Sequence, residues 1–202
     1  PGSKNVWSVI ESNIGNIIFT NSGSYPNHFE GKGGVVELNI INNQITIYDT
    51  TNNILDGLNG ISSDNDDRYL TINQINKDPE GNVWILNPYS EVNNYLAAVQ
   101  FNNGENWGHI SAPDNSSYLP TEVAFDHTGL AWFGFEKGVP ITYSSGGLKV
   151  LDTKRTYDNI SDDLWLTLIN PEVLPGGQNA SIWSLLIDNS NRLWVLTSSG
   201  IQ

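Results

Sequence analysis

The sequence predicts an all-β fold built from a repeated four-stranded antiparallel unit, and three observations lead there. A seven-residue signature recurs along the chain: Asp, two residues, Gly or Asn, two residues, Trp. β-rich runs flank each copy, with Gly, Pro, Asn and Asp between them. No stretch keeps apolar residues at the 3.6-residue period of a buried helix face.

The copies are Asp78-Pro79-Glu80-Gly81-Asn82-Val83-Trp84, Asp126-His127-Thr128-Gly129-Leu130-Ala131-Trp132 and Asp188-Asn189-Ser190-Asn191-Arg192-Leu193-Trp194. A degenerate copy comes first, Ser12-Asn13-Ile14-Gly15-Asn16-Ile17-Ile18, with Ile18 in the tryptophan column. Trp7-Ser8-Val9-Ile10 and Trp183-Ser184-Leu185-Leu186 both start eleven residues before that column, which ties the first copy to the last. Each copy reads as a β-hairpin. The Asp carboxylate accepts from turn amides two residues on, and Gly81, Gly129 or Asn191 supplies the positive φ of a tight turn. The tryptophan opens the second strand and brings its large packing surface. Trp84, Trp132 and Trp194 are therefore expected to be buried equivalents, and Asp78, Asp126 and Asp188 to hold the turns.

Two further strands follow each hairpin. They are 34–38 with 44–48, then 96–101 with 107–110, then 147–151 with 164–168. Column positions 18, 84, 132 and 194 lie 66, 48 and 62 residues apart, so the middle unit is bare and its neighbours carry loop insertions at 22–33, 52–67, 154–163 and 170–179. The units span about 4–50, 70–112, 119–169 and 180–202, and the last shows only its first two strands. Pro1-Gly2-Ser3 reads as the scar of an expression tag.

Four-stranded units that cannot bury both faces alone pack around an axis as the blades of a β-propeller. About three and a half blades are present. Two arrangements fit: an arc of a larger, seven-bladed propeller, or closure by a second copy. The arc is favoured, because an unfinished blade leaves strand edges unpaired.

Composition narrows the function. With 202 residues, 38% hydrophobic and 10% aromatic, the chain has the means to bury a core. Its net charge of -13 repels polyphosphate and excludes nucleic acid as a partner. Absence of Cys removes thiol catalysis, Cys-ligated zinc and disulfides, and fits a bacterial extracytoplasmic protein. No apolar run approaches the roughly 20 residues of a membrane helix.

Catalytic constellations find little support. His28, His109 and His127 have no paired metal-ligand spacing: His127 reads as a turn residue and His109 as packing on a fourth strand beside Trp107. No Gly-x-Ser-x-Gly elbow occurs. Asn102-x-Gly104-x-x-Trp107 loosely resembles the Asp-box of sialidase propellers, but Arg68, Arg155 and Arg192 stand at three unrelated positions and build no arginine cluster. Two acidic loops offer hard oxygen ligands suited to Ca²⁺: Asp64, Asp66 and Asp67 in one, Asp158, Asp162 and Asp163 in the other. The competing reading is a solvated acidic loop. Tyr25, Tyr89, Tyr95, Tyr118 and Tyr143 lie in loops or near strand ends, where aromatic rings stack on sugars or simply pack.

Asp-x-x-Gly-x-x-Trp, then aliphatic-x-Thr or Asn, then a Gly-led strand, resembles the two-component regulator propeller repeat of bacterial extracytoplasmic proteins. The best copies are 188–197 with Ser199-Gly200-Ile201, and 78–87. Departures are Ile18 for Trp and Asn191 for Gly. More narrowly, Gly146-Gly147-Leu148-Lys149-Val150-Leu151-Asp152, Asp158-Asn159-Ile160-Ser161-Asp162-Asp163 and the hairpin after them look like surface propellers of the Bacteroidota type IX secretion machinery, the PorZ-like group. That resemblance implies a non-catalytic surface module engaging glycan, lipopolysaccharide or other secretion components. The broader repeat implies equally a periplasmic sensor of a hybrid histidine kinase. A carbohydrate-active enzyme is the third class.

Overall fold

The computed structural model describes residues 6–12, 14–21, 33–52, 54–57, 70–90, 94–117, 119–138, 144–168 and 174–201. Its strands form four antiparallel sheets, each meandering in chain order. Unit 1 holds β1 (Val6–Glu11), β2 (Asn16–Asn21), β3 (Gly34–Asn39) and β4 (Ile45–Tyr48). Unit 2 holds β5 (Ile75–Lys77), β6 (Val83–Leu86), β7 (Tyr95–Phe101) and β8 (Asn106–Ser111). Unit 3 holds β9 (Pro120–Phe125), β10 (Ala131–Phe135), β11 (Gly147–Asp152) and β12 (Leu164–Leu168). Unit 4 holds β13 (Ile182–Ile187), β14 (Leu193–Thr197) and β15 (Gly200–Ile201). The only helical elements among the described residues are two short 3-10 turns, Ile160–Asp162 and Gly177–Asn179.

Unit 4 thus has three strands rather than two. The chain reverses after Thr197, whose hydroxyl accepts from the Ser199 amide at 2.9 Å and donates to the Gly200 carbonyl at 3.0 Å, and Gly200 takes a φ of +122°. Leu196 then pairs with Ile201 and Thr197 with Gly200. This third strand is the Gly-led strand that the repeat resemblance places at Ser199-Gly200-Ile201, though the count of strands by run alone stops at two.

All four first hairpins close alike. In units 2 to 4 the amide of Asp78, Asp126 or Asp188 donates to the carbonyl four residues on, at 3.1, 3.1 and 2.9 Å. Gly81, Gly129 and Asn191 return a bond to that Asp carbonyl from backbone at φ +86°, +91° and +58°. In unit 1 Ser12 and Gly15 make the same pair of bonds, and the Ser12 hydroxyl accepts from the Asn16 amide at 3.2 Å in place of a carboxylate.

Packing follows the strand pleat. Because successive side chains alternate across a sheet, the tryptophan column and the residue two beyond it face the following unit, while the residues just before and after it face the preceding one. Trp84 and Leu86 pack on Val123, Ala131 and Phe133 of unit 3. Val83 and Ile85 pack back on Ile18 and Val35 of unit 1. Val195 and Leu185 of unit 4 meet Ala124, Leu148 and Trp132 of unit 3. The core is therefore three layers, one at each joint between units.

Trp194 departs from the expected burial. Trp84 is 1% exposed, Trp132 is half-buried and Trp194 is 44% exposed. The cause is position in the array. The column buries against the next unit, and no described unit follows Trp194. Its alignment with the others stands on a shared hydrogen bond, described next.

Candidate functional site

The first strands of neighbouring units, β1, β5, β9 and β13, approach one another, while the later strands splay outward. Where β5, β9 and β13 end, at the first hairpin turns, a pocket of about 290 Å³ opens. Its wall is made by the two residues before the turn aspartate in three successive units: Asn76-Lys77, Ala124-Phe125 and Leu186-Ile187, with Asp78, Pro79 and Leu185 completing it. The volume sits at the lower end of the roughly 300–1,000 Å³ of small-molecule sites. Phe125, Leu185, Leu186 and Ile187 give the wall its apolar part, and Asn76, Lys77 and Asp78 are among its polar groups, the exposed lining being more polar than apolar.

The carboxylate of Asp78 is fully committed. Its Oδ1 accepts from the Asn82 amide at 2.8 Å, and its Oδ2 from Asn82 Nδ2 at 2.8 Å, the Trp84 indole at 3.1 Å and the Tyr157 hydroxyl at 2.8 Å. The indole bond recurs in each later unit, from Trp132 to Asp126 and from Trp194 to Asp188, both at 3.0 Å. One oxygen of each aspartate therefore holds the turn and the other holds the tryptophan. Burial works against the charge of Asp126, but donors from Thr128, Trp132 and Leu130 prevail and hold its carboxyl below the usual carboxylate range. The Trp194 indole, the Arg192 amide and the Arg192 guanidinium hold Asp188 well below it. Burial, the hydrogen bond to Asp78 and its charge raise the Tyr157 phenol above its ordinary value. Each of these aspartates accepts four hydrogen bonds from within its own chain and so fixes the turn and the tryptophan.

Asn76 is likewise engaged: its Nδ2 donates to the Val123 carbonyl at 2.9 Å and its Oδ1 accepts from the Lys77 amide at 2.8 Å. The aspartate column had been legible in the sequence, but the pocket-lining residues beside it had not. The signal that finds them is the same repeat, read one and two residues upstream.

The remaining candidates scatter. His109 stacks on Tyr95 with ring centroids 4.0 Å apart and shares its Nε2 with the Ile54 carbonyl at 2.8 Å. Burial lowers its pKa. His127 lies on the unit 3 turn, its amide donating to Asn191 Oδ1 across the joint at 2.9 Å. Tyr89 occupies a loop at φ +62°. Arg155 pairs with Glu80 at 3.2 Å, and Arg192 with its own turn aspartate at 2.7 Å.

Of the acidic loops, residues 158–163 form a 3-10 turn capped by Asn159, whose side chain accepts from Ser161. Asp162 accepts from the Thr156 hydroxyl at 3.0 Å. Asp163 is half-buried, and desolvation, Asp162 and Asp152 push its carboxyl up to about 6. Among the described residues no group of three or more Asp, Glu or His side chains is gathered closely enough to hold a metal ion. Asp64, Asp66, Asp67, Arg68, His28, Tyr25, Tyr118 and Tyr143 lie outside the described residues.

Across 98% of its length the chain superposes, with a TM-score of 0.66 and 15% identity, on PorZ, an essential bacterial surface component of the type IX secretion system of Porphyromonas gingivalis. The chain has the β-propeller fold. It spans 24% of the length of PorZ. The extracellular domain of a putative hybrid two-component system of B. thetaiotaomicron aligns over 97% of this chain and 31% of its own at 15% identity, with a TM-score of only 0.33. No protein-family model matches the propeller, and no curated protein sequence does. Read as blades, the four units run from β1 at the axis outward to β4, and the pocket lies at one end of that axis.

Proposed function

We propose that this propeller is a non-catalytic binding module of the bacterial cell surface, serving type IX secretion or the attachment of surface glycan, with its ligand in the axial pocket. The observation that carries the reading is the likeness of nearly the whole chain to part of a secretion-system surface component. Two features of the site support it. Its one carboxylate, Asp78, is saturated by protein donors, whereas glycoside hydrolysis needs two working carboxyls. Its wall pairs the apolar surface of Phe125 and Ile187 with Lys77, the mixture a sugar ring uses for stacking and hydrogen bonding. Between glycan classes, a net charge of -13 disfavours an anionic lipopolysaccharide and favours a neutral oligosaccharide.

A glycan array probed with the protein tests this. Neutral bacterial oligosaccharides are expected to bind, and Lys77→Ala to weaken them about tenfold without moving the melting temperature. Binding confined to anionic glycans would overturn the ligand class, and turnover of a bound oligosaccharide would overturn the non-catalytic reading.

A further inference from the structure

A side-chain grip recurs between the first strands of successive units, and it is incomplete at the axial pocket. Ser8, Gln74 and Glu122 each stand ten residues before the column of their own unit, and each reaches the residue nine before the column of the next. The Ser8 hydroxyl accepts from the Ile75 amide and donates to the Ile75 carbonyl, both at 3.4 Å. Gln74 Oε1 accepts from the Val123 amide at 2.7 Å, and Asn76 Nδ2 donates to the Val123 carbonyl at 2.9 Å. The Glu122 carboxylate accepts from the Leu185 amide. These first strands are the inner edges of their sheets, so their outward amides and carbonyls must be met from the neighbouring unit.

The third joint lacks one donor. A strand residue directs its N–H and C=O to the same side, so Leu185 turns its carbonyl, like its amide, toward unit 3. The position that Asn76 holds in unit 2, eight before the column, is Ala124 in unit 3. Its methyl donates nothing to the Leu185 carbonyl. The pocket of about 290 Å³ opens here, with Ala124, Leu185 and Leu186 all in its wall. Ala124 and Leu185 are each 7% exposed and lie at an interior joint, between two units that the chain itself supplies.

We infer that the pocket seats the N-acyl group of an N-acetylated sugar, with the Leu185 carbonyl accepting from its amide N–H, an inference that rests on the reading of the pocket as a glycan site. The chain shows the chemistry that fits: one unit earlier, the equivalent carbonyl is taken by a carboxamide, that of Asn76. Phe125, Leu186 and Ile187 offer apolar surface to the acyl methyl. The same surface would desolvate a charged ammonium, and Glu122 beside the carbonyl turns away a carboxylate. Ala124 is thus the specificity-determining residue, by what it leaves open.

NMR titration of the ¹⁵N-labelled 202-residue chain with β-1,4-linked trisaccharides of N-acetylglucosamine, glucosamine and glucose tests the inference. The N-acetylated trisaccharide is expected to bind at least tenfold tighter than the other two and to shift the amides of Ala124, Leu185 and Leu186. Ala124→Asn restores the missing donor, so it should weaken that binding at least tenfold and raise the melting temperature by about 2–4 °C. Asn76→Ala checks the same equivalence without adding bulk: it should bare the Val123 carbonyl and give the N-acetylated trisaccharide a second site, seen as new shifts at Val123. Equal binding of the three trisaccharides, or preference for glucosamine, overturns the inference and leaves the glycan reading standing. No binding of any of them overturns both. Parent affinity in Ala124→Asn, no gain in its melting temperature, or no second site in Asn76→Ala overturns the role given to the Leu185 carbonyl.

Discussion

A single carboxylate oxygen decides where each tryptophan sits. The indole donates to the turn aspartate six residues upstream whether the ring is sealed, as in Trp84, or open to solvent, as in Trp194. The bond is thus set by the local hairpin, and burial by the neighbour. Asp163 sits in an unfavourable environment: its Oδ1 is buried with no hydrogen-bond partner among the described residues, and Asp162 and Asp152 add like charge. A carboxyl raised from 3.8 to about 6 binds protons more tightly in the folded state. Its ionisation therefore costs stability as pH rises from about 4 to about 6, and the whole cost is present above 6. Solvent screening at a half-exposed group leaves about 1 kcal/mol. Asp163→Asn keeps the shape and removes the charge, so the variant should melt about 2–4 °C above the parent at pH 7.5 and level with it at pH 4. Equal melting temperatures at both values would show that Asp163 is already neutralised or well solvated.

At the scale of the strand, alternation of side chains made the fold legible. The β-rich runs at 34–38, 96–101 and 147–151 were readable because their apolar residues are bounded by turn residues, and they are β3, β7 and β11. What could not be read was which face of a strand meets which neighbour, since that depends on where a unit stands in the array. The pocket was hidden for a related reason: each unit contributes only two wall residues, and they converge only when three first strands are brought together. Close approach at the joints was equally silent. A Cβ added at Gly108 on β8 would stand 1.7 Å from the Tyr157 carbonyl oxygen of unit 3, and one at Gly134 on β10 would stand 2.5 Å from Ile182 of unit 4. Gly15, by contrast, has open space around it, and its demand is only a φ of +78°. Gly108→Ala should therefore lose about 3 kcal/mol through forced separation of units 2 and 3, against about 1 kcal/mol for the left-handed strain of Gly15→Ala. Urea unfolding of both variants checks the order, and equal losses would mean that the joint yields freely.

Across the whole molecule, stability is carried by joints, each linking only adjacent units, so the array behaves as a sum of unit and neighbour terms. The joint between units 2 and 3 is the richest in aromatics: Trp84 lies 5.0 Å from Phe125, 5.9 Å from Tyr157 and 6.2 Å from Phe133. It also carries the Tyr157 to Asp78 bond across the boundary. The joint between units 1 and 2 replaces the tryptophan with Ile18 and buries Glu37, which is held by Asn16 at 2.6 Å, Tyr48 at 2.8 Å and Gln100 at 3.2 Å. A buried charge returns little net stability even when well bonded. Among the described residues, units 1 and 4 are each covered on one face, units 2 and 3 on both. Amide exchange at low micromolar concentration should then be slowest in β6, β7, β9 and β10 and fastest in β1, β4, β14 and β15, because opening an end unit breaks one joint and opening a middle unit breaks two. Phe133→Ala, which cuts into the central joint at a cost of about 3–5 kcal/mol, should speed exchange in units 2 and 3 together, whereas Ile18→Ala should speed it mainly in unit 1. Uniform protection under all these conditions would mean that the chain unfolds as one cooperative body, and that the joints are not its independent units of stability.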